Sequence, residues 1–380
     1  MGYQKKEKIK NKIKIFKYIS LNQIFNKQDI SENLNLSFPT VTKYIEDFLE
    51  QNIIEEIGIK NSKHNRPSIT YKFNPNSLYS IGIKLEVNRV SFIITNILGE
   101  CLRKNEIHNN FFNNQNFAKY IVQQLKLFLQ GFEEEKKLIG IGISLPGIVD
   151  DTFKKFEIGT NFQIFSQDMK FIEDEMKLPI FLMNEANAGI FGEYILNNFT
   201  HKNLAFISID TGIGAGIVLN NKIYEGDNFK AGEIGHISIV PDGRECSCGN
   251  TGCFERYCSN TALINDFKEN FNLEIHTLND IFFNDLHTTP IGHEILKKYT
   301  EYLARAIQTL LLIFDLNKVI IGGEICFYKD YFNLEENLKN LVFNNLFCKD
   351  KNILEFSKYG ESSNLIGAGL APFGSIPNLV

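Results

Sequence analysis

The residues with the clearest chemistry lie in the stretch HISIVPDGRECSCGNTGCFE, which runs from His236 to Glu255. Nine residues separate His236 from Cys246, one residue separates Cys246 from Cys248, and four residues separate Cys248 from Cys253. One imidazole and three thiolates complete a tetrahedral zinc sphere with no position left for water, which is typical of a structural site. The spacing therefore predicts one structural zinc ion per chain.

The composition indicates a globular protein whose two ends differ in charge. With 380 residues, 43% hydrophobic residues and 33 Phe, the chain is long enough for two or three domains with real cores. Seven cysteines, an odd number, and a longest apolar run of only LLLIF predict a cytoplasmic protein without disulfides or a membrane span. Residues 1–74 hold 13 Lys and Arg against 8 Asp and Glu, so this head is basic while the remainder is acidic. Such a head suits a polyanion-binding module, although a solvated lysine-rich face would give the same balance.

The basic head has the pattern of three helices. IKNKIKIFKYI, KQDISENL and SFPTVTKYIEDFLE each place apolar residues at helical spacing, and Ser37 is a natural N-cap for the third. Val41, Ile45 and Phe48 form its buried stripe, so the opposite face is free to enter a major groove. The residues expected to contact DNA from this helix are Ser37, Thr40, Thr42 and Lys43, and Tyr44 is expected on the same exposed face.

Two β-rich runs, IIEEIG and SITYKF, follow the third helix and predict a hairpin wing. Its tip carries Lys63, His64 and Arg66, which would reach phosphates or the adjacent minor groove. Three helices and a wing predict a winged helix-turn-helix DNA-binding domain over residues 1–74, with a small helical dimerisation cap as the alternative. The turn-rich KFNPNS marks the boundary, so residues 75–380 form the second unit.

The second unit has the pattern of strands and helices that is typical of an α/β protein. Its motifs are SLPGIVD, NEANAG, DTGIGAGIVLN, AGEIGH, CSCGNTGCFE and IIGGE. On these motifs the chain resembles the ROK family of repressors, open reading frames and sugar kinases, and most of all its xylose-repressor branch. The resemblance covers essentially the whole chain, and the His-Cys block is its most specific part. It implies a two-lobed, actin-like and hexokinase-like body that binds a sugar and forms oligomers.

The resemblance also implies which residues touch the sugar in the cleft between the lobes. The positions that match the family's sugar contacts are Asn161, Asn184, Glu185, Glu233, His236 and Glu255. Glu233 and Glu255 lie next to zinc ligands, so the metal would fix the loop that presents them. This set contains no Arg or Lys that could clamp a phosphate, which favours a free monosaccharide.

The phosphate loop of the family kinases is altered in this chain. The kinases carry Asp-x-Gly-Gly-Thr-Lys after the first strand, where this chain has KLEVNR, from Lys84 to Arg89. The acid near Mg²⁺ and both glycines are therefore absent, and Glu86 would repel a phosphate about 4 Å away by roughly 4 kcal/mol at an effective dielectric of about 20. Glu185 replaces the family's catalytic Asp, which moves the carboxylate by about one methylene. We therefore assign no catalytic residues and expect no enzyme activity.

These patterns together predict a sugar-responsive transcriptional repressor of carbohydrate-utilisation genes, with xylose as the expected effector. Its expected partners are palindromic operator DNA and further copies of itself, in a homodimer or homotetramer, without a membrane partner. Two alternatives stay open. One is an ATP-dependent sugar kinase of the ROK family with a regulatory DNA-binding head, and the other is a zinc-dependent assembly scaffold without a small ligand.

Overall fold

The structure, a computed structural model, describes residues 3–61, 67–86, 88–108, 117–159, 164–197 and 201–374. Over these residues the chain forms a mixed α/β fold with a small N-terminal head and a larger body. None of the helices in this part of the chain combines the length and the apolar character needed to cross a bilayer.

The head consists of three helices and a small antiparallel sheet. Its elements are α1 (Tyr3–Asn22), β1 (Ile24–Asn26), α2 (Lys27–Leu34), α3 (Phe38–Glu50), β2 (Ile54–Asn61) and β3 (Pro67–Phe73). Ser37 caps α3 as expected, because its hydroxyl accepts a hydrogen bond from the backbone N–H of Thr40. β2 and β3 pair as the wing, and β1 adds to β3 on the other side. The predicted winged helix-turn-helix is thus confirmed.

The apolar core of the head continues into the body. Ile45 and Phe48 of α3 are fully buried in a cluster that also contains Ile97, Leu370 and Phe373 from beyond residue 74. A shared core of this kind makes the orientation of the head depend on the body elements beneath it. The predicted boundary near residue 74 lies in the turn after β3, where the chain leaves the head.

The first lobe of the body is built on a five-stranded sheet in the order β11-β7-β4-β5-β6. Its elements are β4 (Tyr79–Glu86), β5 (Arg89–Asn96), β6 (Cys101–His108), α4 (Phe117–Leu129), β7 (Leu138–Leu145), β8 (Ile148–Asp150), β9 (Lys155–Gly159), β10 (Ile164–Asp168), α5 (Lys170–Met176) and β11 (Ile180–Asn184). Strands β4, β7 and β11 are parallel, and β4 and β7 are buried along almost their whole length because both faces of the sheet are covered. Strands β8, β9 and β10 form a separate small sheet.

The second lobe is built on another five-stranded sheet, in the order β14-β13-β12-β15-β16. The elements of this half are α6 (Glu185–Leu196), β12 (Leu204–Ile209), β13 (Ile213–Leu219), β14 (Lys222–Ile223), α7 (Glu255–Cys258), α8 (Asn260–Phe271), α9 (Leu278–Phe282), α10 (Pro290–Phe314), β15 (Lys318–Gly323), α11 (Leu334–Val342), β16 (Leu354–Phe356) and α12 (Ser362–Gly374).

Two helices, α6 and α12, lie between the two sheets and hold them together. α12 packs on β4 and β7 of the first sheet, α6 packs on β12 and β13 of the second, and the two helices pack on each other. They approach so closely that a Cβ on Gly367 would collide with the carbonyl oxygen of Ala188. This arrangement confirms the two-lobed body and leaves a cleft at the ends of β4, β7, β11 and β12.

Candidate functional site

The four predicted zinc ligands converge on one point. Their ligand atoms all lie within 4.8 Å of one another. The Sγ atoms of Cys248 and Cys253 are 3.7 Å apart, and Cys246 Sγ is 3.6 Å from His236 Nδ1. Two ligands bound at about 2.3 Å with tetrahedral angles lie about 3.8 Å from each other, so the donor set fits a zinc ion. Nδ1 of His236 is the ring nitrogen that faces the thiol of Cys246.

The loop that carries the thiols has little core of its own. Most side chains between residues 241 and 252 are exposed, and the loop is shaped by single bridges between Ser238 and Cys253 and between Glu245 and Thr251. Gly252 has φ +73°, and a Cβ there would collide with the carbonyl oxygen of Val240. A metal ion held by four ligands would supply the order that packing does not.

Two predicted sugar-contact residues, Glu233 and Glu255, lie beside the predicted zinc ligands, and a third, His236, is one of these ligands. Glu255 begins α7, and its Oε1 is 3.2 Å from Cys246 Sγ and 3.6 Å from His236 Nδ1. Glu233 precedes the turn that carries His236, and burial raises the pKa of Glu233 although the imidazole of His236 opposes the shift. The structure therefore brings Glu233, His236 and Glu255 together at one edge of the cleft.

Asn184 and Glu185 lie at the junction of β11 and α6. Asn184 caps α6, because its Oδ1 accepts the N–H of Ala186 at 2.9 Å while its Nδ2 donates to the carbonyl oxygen of Gly147 at 2.8 Å. Its amide is thus already used by the fold. Burial, reinforced by the carboxylate of Asp210, raises the pKa of Glu185 to about 8. Asn161, the remaining predicted contact, lies outside the described residues.

A network of ion pairs, with a buried lysine and half-buried partners, lies at the β4–β5 hairpin, the segment that aligns in sequence with the phosphate loop of the family kinases. We call this network, formed by Lys84, Glu86, Arg89, Asp210 and Glu361, the cation clasp. Lys84 is 2% exposed, and its Nζ lies 3.1 Å from Glu86 Oε1 and 3.6 Å from Asp210 Oδ2. Arg89 bonds Glu86 through Nε and Nη2 at 2.6 and 2.8 Å, and Nη2 also bonds Glu361 Oε2 at 2.9 Å.

The cation clasp joins the two lobes. Lys84, Glu86 and Arg89 belong to the β4–β5 hairpin of the first lobe, whereas Asp210 follows β12 of the second and Glu361 precedes α12. Burial alone would lower the pKa of Lys84, but the carboxylates of Asp210 and Glu86 outweigh it and hold the pKa above its usual range. Lys84 therefore stays charged and places a positive charge between two carboxylates, one from each lobe. The sequence pattern identified the Lys84–Arg89 segment but neither of its partners across the cleft.

The residues predicted to contact DNA fall into two groups. Lys43 is exposed on α3, whereas the hydroxyls of Ser37 and Thr40 lie 2.7 Å apart and bond each other. The Oγ1 of Thr42 is buried without a partner among the described residues. The expected exposure of Tyr44 is wrong, because this residue is 7% exposed and packs in the head core one turn before Phe48. The wing-tip residues Lys63, His64 and Arg66 lie outside the described residues.

The raised pKa of Glu185 predicts a pH-dependent effect of Glu185→Gln. Between pH 4.5 and 8 the folded protein keeps a proton on Glu185 that the unfolded chain has lost, so this residue costs stability as the pH rises. Glutamine stays neutral at every pH. The unfolding temperature of the variant minus that of the parent should therefore rise from pH 5.5 to pH 7.5. Thermal melts in matched buffers measure this difference. A difference that does not change with pH would contradict the shifted pKa.

Comparison with known proteins places this site in a family. The sequence model of the ROK family matches residues 80–371. The xylose repressor of Bacillus spizizenii is 30% identical over 324 residues, which cover 84% of this chain and 83% of the repressor. The N-acetylglucosamine repressor of Escherichia coli is 23% identical over 326 residues, which cover 83% of this chain and 80% of that protein.

Solved structures agree with the fold. A crystal structure of a ROK family transcriptional regulator, a homologue of the Escherichia coli MLC protein, superposes with a TM-score of 0.82 at 21% identity and covers 99% of this chain and 98% of its own. A ROK family glucokinase from Streptomyces griseus, in complex with glucose and AMPPNP, superposes with a TM-score of 0.67 at 22% identity and covers 77% of this chain and 98% of its own. The chain belongs to the ROK family.

Proposed function

We propose that the chain is a sugar-responsive transcriptional repressor of carbohydrate-utilisation genes, with D-xylose as effector. The similarity to a xylose repressor over most of both chains supports the sugar. The winged helix-turn-helix head supports binding to operator DNA, and a homodimer or homotetramer would match a palindromic operator. A structural zinc ion, held by His236, Cys246, Cys248 and Cys253, would fix Glu233 and Glu255 where a sugar can reach them.

The observation that carries the proposal against the kinase alternative is the cation clasp. The ammonium group of Lys84 and the guanidinium group of Arg89 already neutralise the carboxylates of this corner. Mg²⁺ would have to displace a buried cation, and ATP would meet Glu86 in place of a glycine-rich turn. We therefore expect no ADP release when the protein is mixed with ATP and a monosaccharide.

Helix α6 offers a direct route from the sugar to the DNA-binding head. It begins with Glu185 in the cleft, and its other end carries Phe191 and Leu196, which pack against the head core. A helix of 12 residues is about 18 Å long and moves as one body. A sugar that shifts Glu185 and Glu233 relative to each other would therefore tilt the surface on which the head rests. The two recognition helices of an oligomer would then lose their spacing on the operator.

Two substitutions should separate the two binding activities. Lys43→Ala removes an exposed cation from α3, so operator affinity should fall about tenfold and the slope of log affinity against log salt should drop by about one, with sugar binding unchanged. Glu233→Ala removes a predicted sugar contact near the proposed zinc ion. The variant should therefore still bind DNA, but sugar should no longer release it. Fluorescence anisotropy on labelled operator DNA measures both effects.

Each variant has a matched control on the same protein. For Lys43→Ala the control is Lys136→Ala, which removes an exposed lysine of the body. For Glu233→Ala the control is Glu245→Ala, which removes an exposed carboxylate from the loop that carries the cysteines. Both controls should behave like the parent. Normal sugar-induced release by Glu233→Ala would show that the sugar pocket is assigned wrongly, and unchanged DNA affinity in Lys43→Ala would remove α3 from the interface.

A further inference from the structure

A cavity of about 350 Å³ lies beside the predicted sugar pocket and has no assigned role. The turn at residues 149–152 and strand β11 form its wall on the first lobe, and Ile223, Glu225 and Phe229 form its wall on the second. Asn184 lines it, while Glu185, Glu233, His236 and Glu255 are not among its lining residues. The cavity therefore shares Asn184 with the predicted sugar contacts and continues along α6 to Phe191 and to Gly374 at the end of α12.

One wall carries a buried amide with unmet hydrogen-bonding capacity. Asn187, in the first turn of α6, lines the cavity and is 9% exposed. Its Oδ1 has no hydrogen-bond partner among the described residues. Buried side-chain amides are nearly always paired with protein, water or ligand, so this oxygen calls for a hydrogen-bond donor that a water or a bound molecule would supply.

Aromatic rings line the cavity from both lobes. Phe181 comes from β11, with the Nζ of Lys154 held 5.3 Å from its ring centroid. Phe229 comes from the second lobe, is 37% exposed and has φ +55°. A bulky residue is uncommon in this left-handed conformation, and such residues gather at sites that clamp ligands. Aromatic faces with polar neighbours suit a molecule that is apolar on its ring faces and polar at its edge.

The charges of the cavity favour a neutral ligand rich in hydroxyl groups. Asp151 accepts the N–H of Leu182 at 2.7 Å and bonds Lys154 Nζ at 2.6 Å through the same oxygen. Glu225 faces it from the other lobe, and burial together with the charge of Asp151 raises the pKa of Glu225. The ammonium group of Lys154 neutralises Asp151, so these walls carry little net charge, and their carboxyl oxygens accept hydrogen bonds from hydroxyls.

We propose that this cavity binds the second ring of a disaccharide whose first ring occupies the sugar pocket, so that the effector class includes neutral disaccharides. This inference rests on the proposed sugar response. The position of Asn184 between the two sites places a glycosidic bond at the junction of β11 and α6. A disaccharide would contact both lobes, through Phe181 and Asp151 on one side and Phe229 and Glu225 on the other.

Isothermal titration of the full-length protein with matched mono- and disaccharides tests the proposal. The probes are xylose and xylobiose, glucose and cellobiose, and N-acetylglucosamine and chitobiose. For the pair whose monosaccharide binds, the disaccharide should bind at least tenfold more tightly. Phe229→Ala should remove that gain and leave monosaccharide affinity unchanged, and Asn187→Ala should reduce the gain. Phe153→Ala is the matched control, because this residue is 69% exposed in the adjacent turn and does not line the cavity.

The outcomes separate this proposal from the proposed function. A monosaccharide that binds while its disaccharide binds no better would overturn the second subsite and keep the sugar response. If Phe229→Ala weakens the binding of monosaccharide and disaccharide equally, the second subsite is also overturned, because the cavity would then be part of the first site. If none of the six sugars binds, the sugar response itself fails and the subsite fails with it.

Discussion

Replacing Lys84 by methionine is expected to destabilise the protein by about 3–5 kcal/mol, because breaking a buried ion pair leaves an uncompensated buried charge. Methionine keeps much of the side-chain volume but removes the ammonium group. Among the described residues, this is the only ammonium group within 4 Å of both Glu86 and Asp210. The pKa of Lys84 lies above its usual range, so its stabilising effect is fully present at any pH below the unfolded value of about 10.4. A thermal melt at pH 7 should show a decrease of roughly 5 °C for a chain of this length.

Two further variants give this prediction its controls. Lys104→Met removes one partner of an exposed ion pair on β6, whose atoms are also close, at 2.8 Å, and should change stability by less than about 1 kcal/mol. The double variant Lys84→Met with Asp210→Asn removes both charges and should recover part of the loss. A Lys84→Met protein as stable as the Lys104→Met control would show that the cation clasp does not hold the lobes together.

Replacing Cys253 by serine should abolish zinc binding and reduce sugar affinity by about a hundredfold or more, since metal-site geometry depends on the complete ligand set. Cys253 is fully buried and pairs through its backbone with Ser238, so it anchors the loop to the body. Glu233 and Glu255 flank the exposed loop between residues 241 and 252. Without the metal, little would hold this loop in place, and the positions of the two carboxylates would be less well defined. Zinc content per chain and sugar titration measure the two effects, and DNA binding by the head should persist.

Cys258→Ser is the matched control for the metal. Cys258 is also fully buried and lies only five residues further on, but its Sγ contacts the backbone oxygen of Tyr299 instead of the other thiols. This variant should keep its zinc and its sugar affinity. Full zinc occupancy in Cys253→Ser, or loss of zinc from both variants alike, would count against the four-ligand site.

Local patterns in the sequence predict the head and the convergence of the four candidate metal ligands. The N-cap at Ser37 and the stripe of Val41, Ile45 and Phe48 depend on residues within one or two helical turns. His236 and the three predicted ligand cysteines lie within one stretch of eighteen residues, so their spacing constrains their geometry directly. The exposure of Tyr44 does not follow from the helical pattern, because this residue borders the apolar stripe and is buried by the packing of α3 in the head core.

The cation clasp could not be read from the sequence in the same way. Lys84 and Asp210 are far apart in the chain, and they meet because β4 and β12 end at the same cleft. Glu361 reaches Arg89 because α12 begins next to the β4–β5 hairpin. The cavity beside Asn187 arises for the same reason, since its walls come from both lobes. Contacts between sheets depend on how α6 and α12 pack, which no local pattern specifies.

Fluorescence anisotropy of the purified protein on labelled DNA from upstream of its own gene, titrated with D-xylose in the absence of ATP, tests the central claim most directly. The proposed function predicts tight, salt-sensitive binding that is lost at millimolar xylose and kept at the same concentration of glucose. Specific binding that xylose does not change would contradict the assigned effector. No specific DNA binding at any salt concentration would contradict the repressor and favour the kinase alternative.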